Sequence, residues 1–308
     1  MLSAKVDSWL AAWAGRHGKQ GDQGPLPCRQ ISTPVGMVRL FDSAPLGSDK
    51  PVVIFVPDGP NVIEHHAGLF ALLTPQLRVV CFDMPGFGFS YPQTNYTHGL
   101  DQGAAAVLGV LDSLGIARAT LAFSCANGFY ALRAARIAPK RINGLVLVQT
   151  PALAVMPAWT QRAVPWPLRI PVVGHILMWL ARKKLAHVWY QIALPRDAEK
   201  LAYQATAKAA LETGGCFCLA GVVQGLGRAS SEQLTGVGVP CTMIWGGRDH
   251  SHKHTDPSSL LREVPQAEIV HFSDCGHFPE LEQSQRYANI LIERVMRDNT
   301  GKPVGTLS

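Results

Sequence analysis

Short apolar runs alternate with longer amphipathic stretches along most of the chain. PVVIFV (51–56), LRVVCFD (77–83), ATLAF (119–123), INGLVLVQ (142–149), CTMIWG (241–246) and AEIVHF (267–272) are near-continuously apolar, the pattern of strands buried on both faces. Between them, 61–75, 97–114, 126–138, 256–264 and 280–297 read as helices, and Gly115 ends the second. Residues 28–43 alternate around Pro34-Val35-Gly36, which predicts a hairpin. Strands that take turns with helices give an α/β fold, with a mostly parallel sheet and helices on both faces.

Residues 151–235 break the rhythm. They hold six prolines and Trp159, Trp166, Trp179 and Trp189, and they read as mostly helical. This segment is expected to be a helical cap inserted over the C-terminal edge of the sheet, where open α/β sheets bind ligands. The core is then 28–150 with 236–300. Residues 1–27 form an amino-terminal helix and a linker (19–27). Leu2, Val6, Trp9, Leu10 and Trp13 share one helical face, which is expected to cap the core; a membrane-surface helix is the alternative.

The chain has 308 residues, 47% hydrophobic and 16% charged, enough to bury a sizeable core. Its formal charge is +6, and no basic motif accompanies it, so no nucleic-acid partner is expected. The cap carries nine Lys/Arg against four Asp/Glu, with ARKKLAH at 181–187. That stretch is a solvated helix face, or a contact for a membrane surface or an acyl carrier. The seven cysteines lie mostly in apolar runs, without a CxxC pair, and read as reduced thiols of a cytoplasmic protein. The first residues do not read as a signal peptide, since Asp7 and two tryptophans interrupt the apolar stretch.

The chemistry is expected at AFSCANG (122–128), where a strand gives way to a helix within two or three residues. Such a turn strains its central residue and crowds the positions two before and two after it. Centred on Ser124, the flanks are Ala122 and Ala126; centred on Cys125, they are Phe123 and Asn127. Steric reasoning selects Ser124 as nucleophile and makes the Cys125 N–H an oxyanion donor. The Cys125 thiol is the rival nucleophile.

Here the sequence resembles the α/β-hydrolase family over about residues 28–296. The family's G-x-S-x-G appears as Ala122-Phe123-Ser124-Cys125-Ala126, its D-x-P-G-x-G-x-S loop as FDMPGFGFS (82–90), its late-strand acid as the Asp249 of WGGRD, and its G-H-F-P-x-x-E as GHFPELE (276–282). The resemblance implies a catalytic triad of Ser124, His277 and Asp249: His277 takes and returns the proton, and Asp249 holds the imidazole. Asp274 is a rival acid. One departure stands at VPDGPN (56–61), where many members carry His-Gly. If Asp58-Gly59 replaces His-Gly, the second oxyanion donor falls on Pro60, which has no N–H. If PDGP replaces H-G-G-P, the donor is Gly59, and that alignment is adopted. Either way Asp58 sits near developing negative charge.

The function this implies is a serine hydrolase acting through an acyl-enzyme on a hydrophobic ester, thioester or lactone. Trp159, Trp166, Trp179 and Met178, with Trp189, are expected to line an apolar pocket for an acyl or aromatic group. The alternatives are an acyltransferase with the same nucleophile and a non-catalytic binding homologue. No metal or organic cofactor is implied. The histidine-rich DHSHKHTD (249–256) reads as a solvated loop, and Cys216-x-Cys218 is too close for zinc-ribbon spacing. The oligomeric state is left open.

Overall fold

The computed structural model describes residues 2–18 and 26–300. Most of the proposed linker, 19–25, lies outside the described residues. The hairpin forms as β1 (Cys28–Thr33) and β2 (Gly36–Asp42), paired antiparallel. The apolar runs become β3 (Val52–Val56), β4 (Arg78–Phe82), β5 (Ala119–Ser124), β6 (Ile142–Val148), β7 (Cys241–Gly246) and β8 (Glu268–Phe272). Their order across the sheet is β1-β2-β4-β3-β5-β6-β7-β8, and every neighbouring pair from β4 to β8 is parallel. The two-residue strand Tyr91–Pro92 adds to β2. The α/β-hydrolase architecture is therefore present.

Period-two alternation assigns each central strand to two cores. Ile54, Val56, Val80 and Phe82 pack with residues of α3 (Leu100–Ser113) and α4 (Ala126–Ile137). Val53, Phe55, Val79 and Cys81 face the other way, against residues of α2 (Ala67–Leu73) and the C-terminal helix, Ser284–Thr300. Continuous apolar sequence is what a strand sandwiched by both layers requires. The segment 151–235 folds into α5 (Met156–Ala163), α6 (Val173–Ala193), α7 (Leu201–Glu212) and α8 (Leu219–Leu226), with a 3-10 turn (Trp166–Arg169) between the first two and a two-residue strand (Cys216–Phe217) between the last two. Hydrogen bonds fasten it to the core: the indole N–H of Trp159 donates to the Ser251 carbonyl at 3.0 Å, and the His277 N–H to the Ala193 carbonyl at 2.8 Å.

The amino-terminal helix α1 (Leu2–His17) forms, but its buried side is the opposite of the expected one. Ala4, Asp7, Ser8, Ala11 and Ala14 are buried, while Leu2, Trp9 and Trp13 are exposed. Three alanines let the helix lie close to its neighbours. Asp7 faces His98 and His175, and the Ser8 hydroxyl donates to the Pro92 carbonyl. Polar partners thus outweigh the apolar stripe. No helix among the described residues is long and apolar enough to cross a membrane.

Candidate active site

The turn after β5 is strained at a different residue from the one steric reasoning selected. Cys125 holds φ 52° and ψ −126°, whereas Ser124 is the last residue of β5. Cys125 is the residue raised at the N-terminus of α4, and it lines a cavity of about 400 Å³ together with Asp58, Gly59 and Ala126. Ser124 is buried in the strand, and its hydroxyl donates to Glu280 Oε1 at 2.8 Å. The crowding expected from Phe123 and Asn127 is avoided in two ways. Phe123 points into the core, and the Asn127 amide donates to the Pro57 carbonyl at 3.1 Å. The close approach comes one residue later: a Cβ on Gly128 would lie 2.1 Å from the Thr150 hydroxyl oxygen. Thr150 in turn donates to the Cys125 and Val148 carbonyls, both at 3.0 Å, and braces the turn.

His277 and Asp249 meet as expected. Asp249 Oδ2 is 2.5 Å from His277 Nδ1, and both are buried. The other ring nitrogen does not reach Ser124. It faces Asp58 Oδ2 at 3.2 Å, and the Cys125 sulfur, a His277 ring nitrogen and an Asp58 oxygen lie within 4.8 Å of one another. Asp274 is on the surface, bonded by the Gln283 amide, and is no rival acid. Glu282 accepts from the Gly276 and Phe278 N–H groups and so shapes the loop that carries His277.

Electrostatics follow from burial and from these contacts. Burial opposes charge on His277, yet the Asp249 carboxylate, with Cys125 and Asp58, raises its pKa well above the ordinary value. Asp249 falls to about 2, because His277 overcomes its burial. Burial pushes Asp58 upward against the pull of His277. The Cys125 thiol is also pushed up, by burial and by Asp58, while His277 and the Ala126 N–H pull it down. Glu280 rises to about 7 through burial, despite accepting from Ser124.

The oxyanion donors are also redistributed. The Cys125 N–H is committed to the Val148 carbonyl at 2.7 Å, so it cannot serve. The Ala126 N–H, at the helix N-terminus, lies against the sulfur. Gly59 lines the cavity; a Cβ there would come within 2.5 Å of the Phe87 ring.

Of the expected pocket residues, Trp159 and Trp189 line the cavity, with Leu168, Leu185, Val222 and Leu226. Trp166 is exposed, Trp179 packs edge-on against Trp13 and beneath Arg182, and Met178 is buried in the core away from the lining. Trp166 belongs to the turn Trp166–Arg169 before α6; Trp179 stands off the α6 face that carries Leu185 and Trp189, and Met178 shares that face but lies about two turns nearer the start of the helix. Sequence reasoning also missed His252 and Glu280. The loop 249–256 is not simply solvated: His252 is buried and stacks between Trp159 (5.3 Å) and His277 (5.5 Å). Burial lowers its pKa to about 4, which keeps it neutral against His277. An apolar partner for one histidine among several was not readable from spacing. The loop motif 82–90 is structural: the Asp83 carboxylate accepts from the Phe89 N–H, and Ser90 from the Arg39 N–H.

Comparison with known proteins bears on the family and the fold. A sequence profile of the alpha/beta hydrolase family matches residues 53–290. A 2-hydroxy-6-oxononadienedioate/2-hydroxy-6-oxononatrienedioate hydrolase from a Pseudomonas species is 26% identical, covering 85% of this chain and 93% of its own. The dihydrolipoyllysine-residue acetyltransferase component of the acetoin cleaving system of Pseudomonas putida is also 26% identical, over 92% of this chain and 73% of its own. Among solved structures, the enol-lactonase from Burkholderia xenovorans LB400 superposes with a TM-score of 0.70 at 19% identity, covering 87% of this chain and all of its own. The parallel sheet, the strained turn after β5 and the match over residues 53–290 together establish that this chain belongs to the alpha/beta hydrolase family.

Proposed function

We propose that the protein is a hydrolase whose nucleophile is the Cys125 thiol, with His277 as proton carrier and Asp249 as its anchor. The observation that carries this reading is the strained Cys125 facing both the cavity and His277, while the Ser124 hydroxyl is turned onto Glu280. The substrate class is an ester, thioester or lactone with an apolar acyl or aromatic body, suited to the apolar walls of the cavity. The names of the relatives, a dienedioate hydrolase and an enol-lactonase, are in keeping with attack at a carbonyl.

The Cys125 S–H proton passes to His277 Nε2 as the sulfur attacks the carbonyl carbon. The resulting oxyanion accepts from the Ala126 N–H, at the positive end of α4. The carbonyl re-forms, the bond to the leaving oxygen or sulfur breaks, and that atom takes the proton from Nε2. Water then attacks the acyl-thioester, giving its proton to Nε2. The C–S bond breaks, the acid departs and the thiol is reprotonated. Burial raises the Asp58 pKa against the pull of His277, which lessens the repulsion that its carboxylate would exert on the oxyanion.

Intact-mass spectrometry with iodoacetamide and with a p-nitrophenyl ester panel tests the assignment. One adduct per chain is expected at Cys125, absent in Cys125→Ala and kept in Ser124→Ala. Turnover should fall by about 10³-fold or more in Cys125→Ala. If instead Ser124→Ala abolishes turnover and a fluorophosphonate labels Ser124, the thiol assignment is wrong. Acyl transfer appears as ester product when an alcohol acceptor is added.

A further inference from the structure

On another side of α8 from the cavity at Cys125, α1 closes over a second cluster of reactive side chains. Asp7 of α1, His98 on the loop before α3, His175 of α6 and Cys218 at the start of α8 converge, and all four are buried. His98 Nε2 is 3.4 Å and His175 Nε2 3.5 Å from Asp7 Oδ2. The Cys218 sulfur lies within 4.8 Å of the ligand atoms of Asp7 and His98. Yet Asp7 Oδ2 and His98 Nε2 make no aligned hydrogen bond. A small void of about 20 Å³ separates Asp7, His98 and His175.

We infer that this cluster is a divalent transition-metal site, of the kind that suits Zn²⁺, with Asp7, His98 and Cys218 as its ligands, while His175, 3.5 Å from Asp7 Oδ2, braces the carboxylate. The spacing supports it. A tetrahedral ion with bonds of about 2.0–2.1 Å to nitrogen and oxygen holds its ligands about 3.3 Å apart. The Asp7–His98 edge, at 3.4 Å, is close to that, and its poor alignment as a hydrogen bond is what atoms aimed at a common centre show. The ligand set matches a borderline-soft cation, with one thiolate, one imidazole and one carboxylate. It also balances charge, since one carboxylate and one thiolate neutralise a divalent ion away from water. Binding breaks the Cys218 S–H bond, forms a sulfur–metal bond and releases the proton to water.

The backbone makes room for the site. A Cβ on Gly221 would lie 2.4 Å from Asp7 Oδ2 and 2.6 Å from His98 Nε2. A Cβ on Gly86 would lie 2.8 Å from the His98 ring. His98 itself takes φ 56°, a conformation that non-glycine residues seldom hold. The ligands come from the amino-terminal helix, a core loop and the start of α8, so the ion staples these parts together. The Asp249–His252–His277 group is a weaker candidate: its two imidazoles stack at 18° with centroids 5.5 Å apart, so their in-plane lone pairs do not converge.

The test is metal analysis of the full chain, followed by replacement with Co²⁺. One metal per chain is expected, retained in Cys125→Ala and in Cys216→Ser, and lost in Cys218→Ser and Asp7→Asn. The Co²⁺ form should show a thiolate-to-cobalt absorption band that disappears in Cys218→Ser and Asp7→Asn and persists in Cys125→Ala and Cys216→Ser. Chelation should lower Tm and expose α1 to protease, and added Zn²⁺ should reverse both. Circular dichroism identifies variants that merely fail to fold. Substoichiometric metal, with no thiolate band and a Tm indifferent to chelator and Zn²⁺, would overturn the site and leave a water-filled Asp7–His98 contact in its place.

Discussion

At the scale of single residues, the site is a contest among buried ionisable groups. Asp58 faces His277 Nε2 and raises the Cys125 thiol. Asp58→Asn removes that charge and keeps the shape. The pH midpoint of Cys125 alkylation is expected to move to lower pH; an unmoved or higher midpoint would show that Asp58 does not govern the thiol. Glu280 has a different signature. Its pKa rises from 4.5 to about 7 on folding, so the folded state holds a proton that the unfolded chain releases within that window. Stability therefore falls as pH rises through it, by about 3 kcal/mol at most. Glu280→Gln should flatten the loss of Tm between those two pH values. Parallel melting curves for wild type and variant would mean that Glu280 is ionised in the fold.

At the scale of elements, the decisive feature is the passage from β5 to α4. The need for a small residue near the turn was legible, but not its position. Flanking alanines pointed to Ser124, whereas the helix packs against Thr150 through Gly128. Gly128→Ala should cost about 1–3 kcal/mol by overpacking and displace Cys125. It would be measured by denaturant unfolding and by the alkylation rate. A variant as stable and as reactive as wild type would contradict this account. Element boundaries elsewhere were legible because strand runs and helix periods differ in length and spacing. The helix expected at 256–264 forms only a 3-10 segment, Pro257–Arg262, begun by the Asp256 side chain accepting from the Ser258 N–H.

At the scale of the whole molecule, cap and sheet enclose the cavity between Cys125 and α8. Val222 and Leu226 stand on its α8 wall. Val222→Phe should raise KM for long acyl esters about tenfold or more, with short esters unaffected. Equal effects on both lengths would place the acyl chain elsewhere. The same enclosure ties cap to core through Trp159, whose indole reaches Ser251 on the loop that carries the acid. Substrate wall and triad support thus share one side chain, and His252 fills the space between Trp159 and His277.

Local pattern was enough for the order of strands and helices, the buried parallel sheet and the choice of Asp249 and His277, which meet in the fold. These depend on periodicity and on motifs contiguous in the chain. Only the folded chain could decide between Ser124 and Cys125, because one residue of register decides which side chain faces the cavity and which faces Glu280. The same holds for α1. Its apolar stripe suggested one buried face, but the partners of Asp7 come from positions 98, 175 and 218, too far along the chain for any local pattern to reveal. Close packing and long-range polar contacts set those choices, and both arise only when distant segments meet.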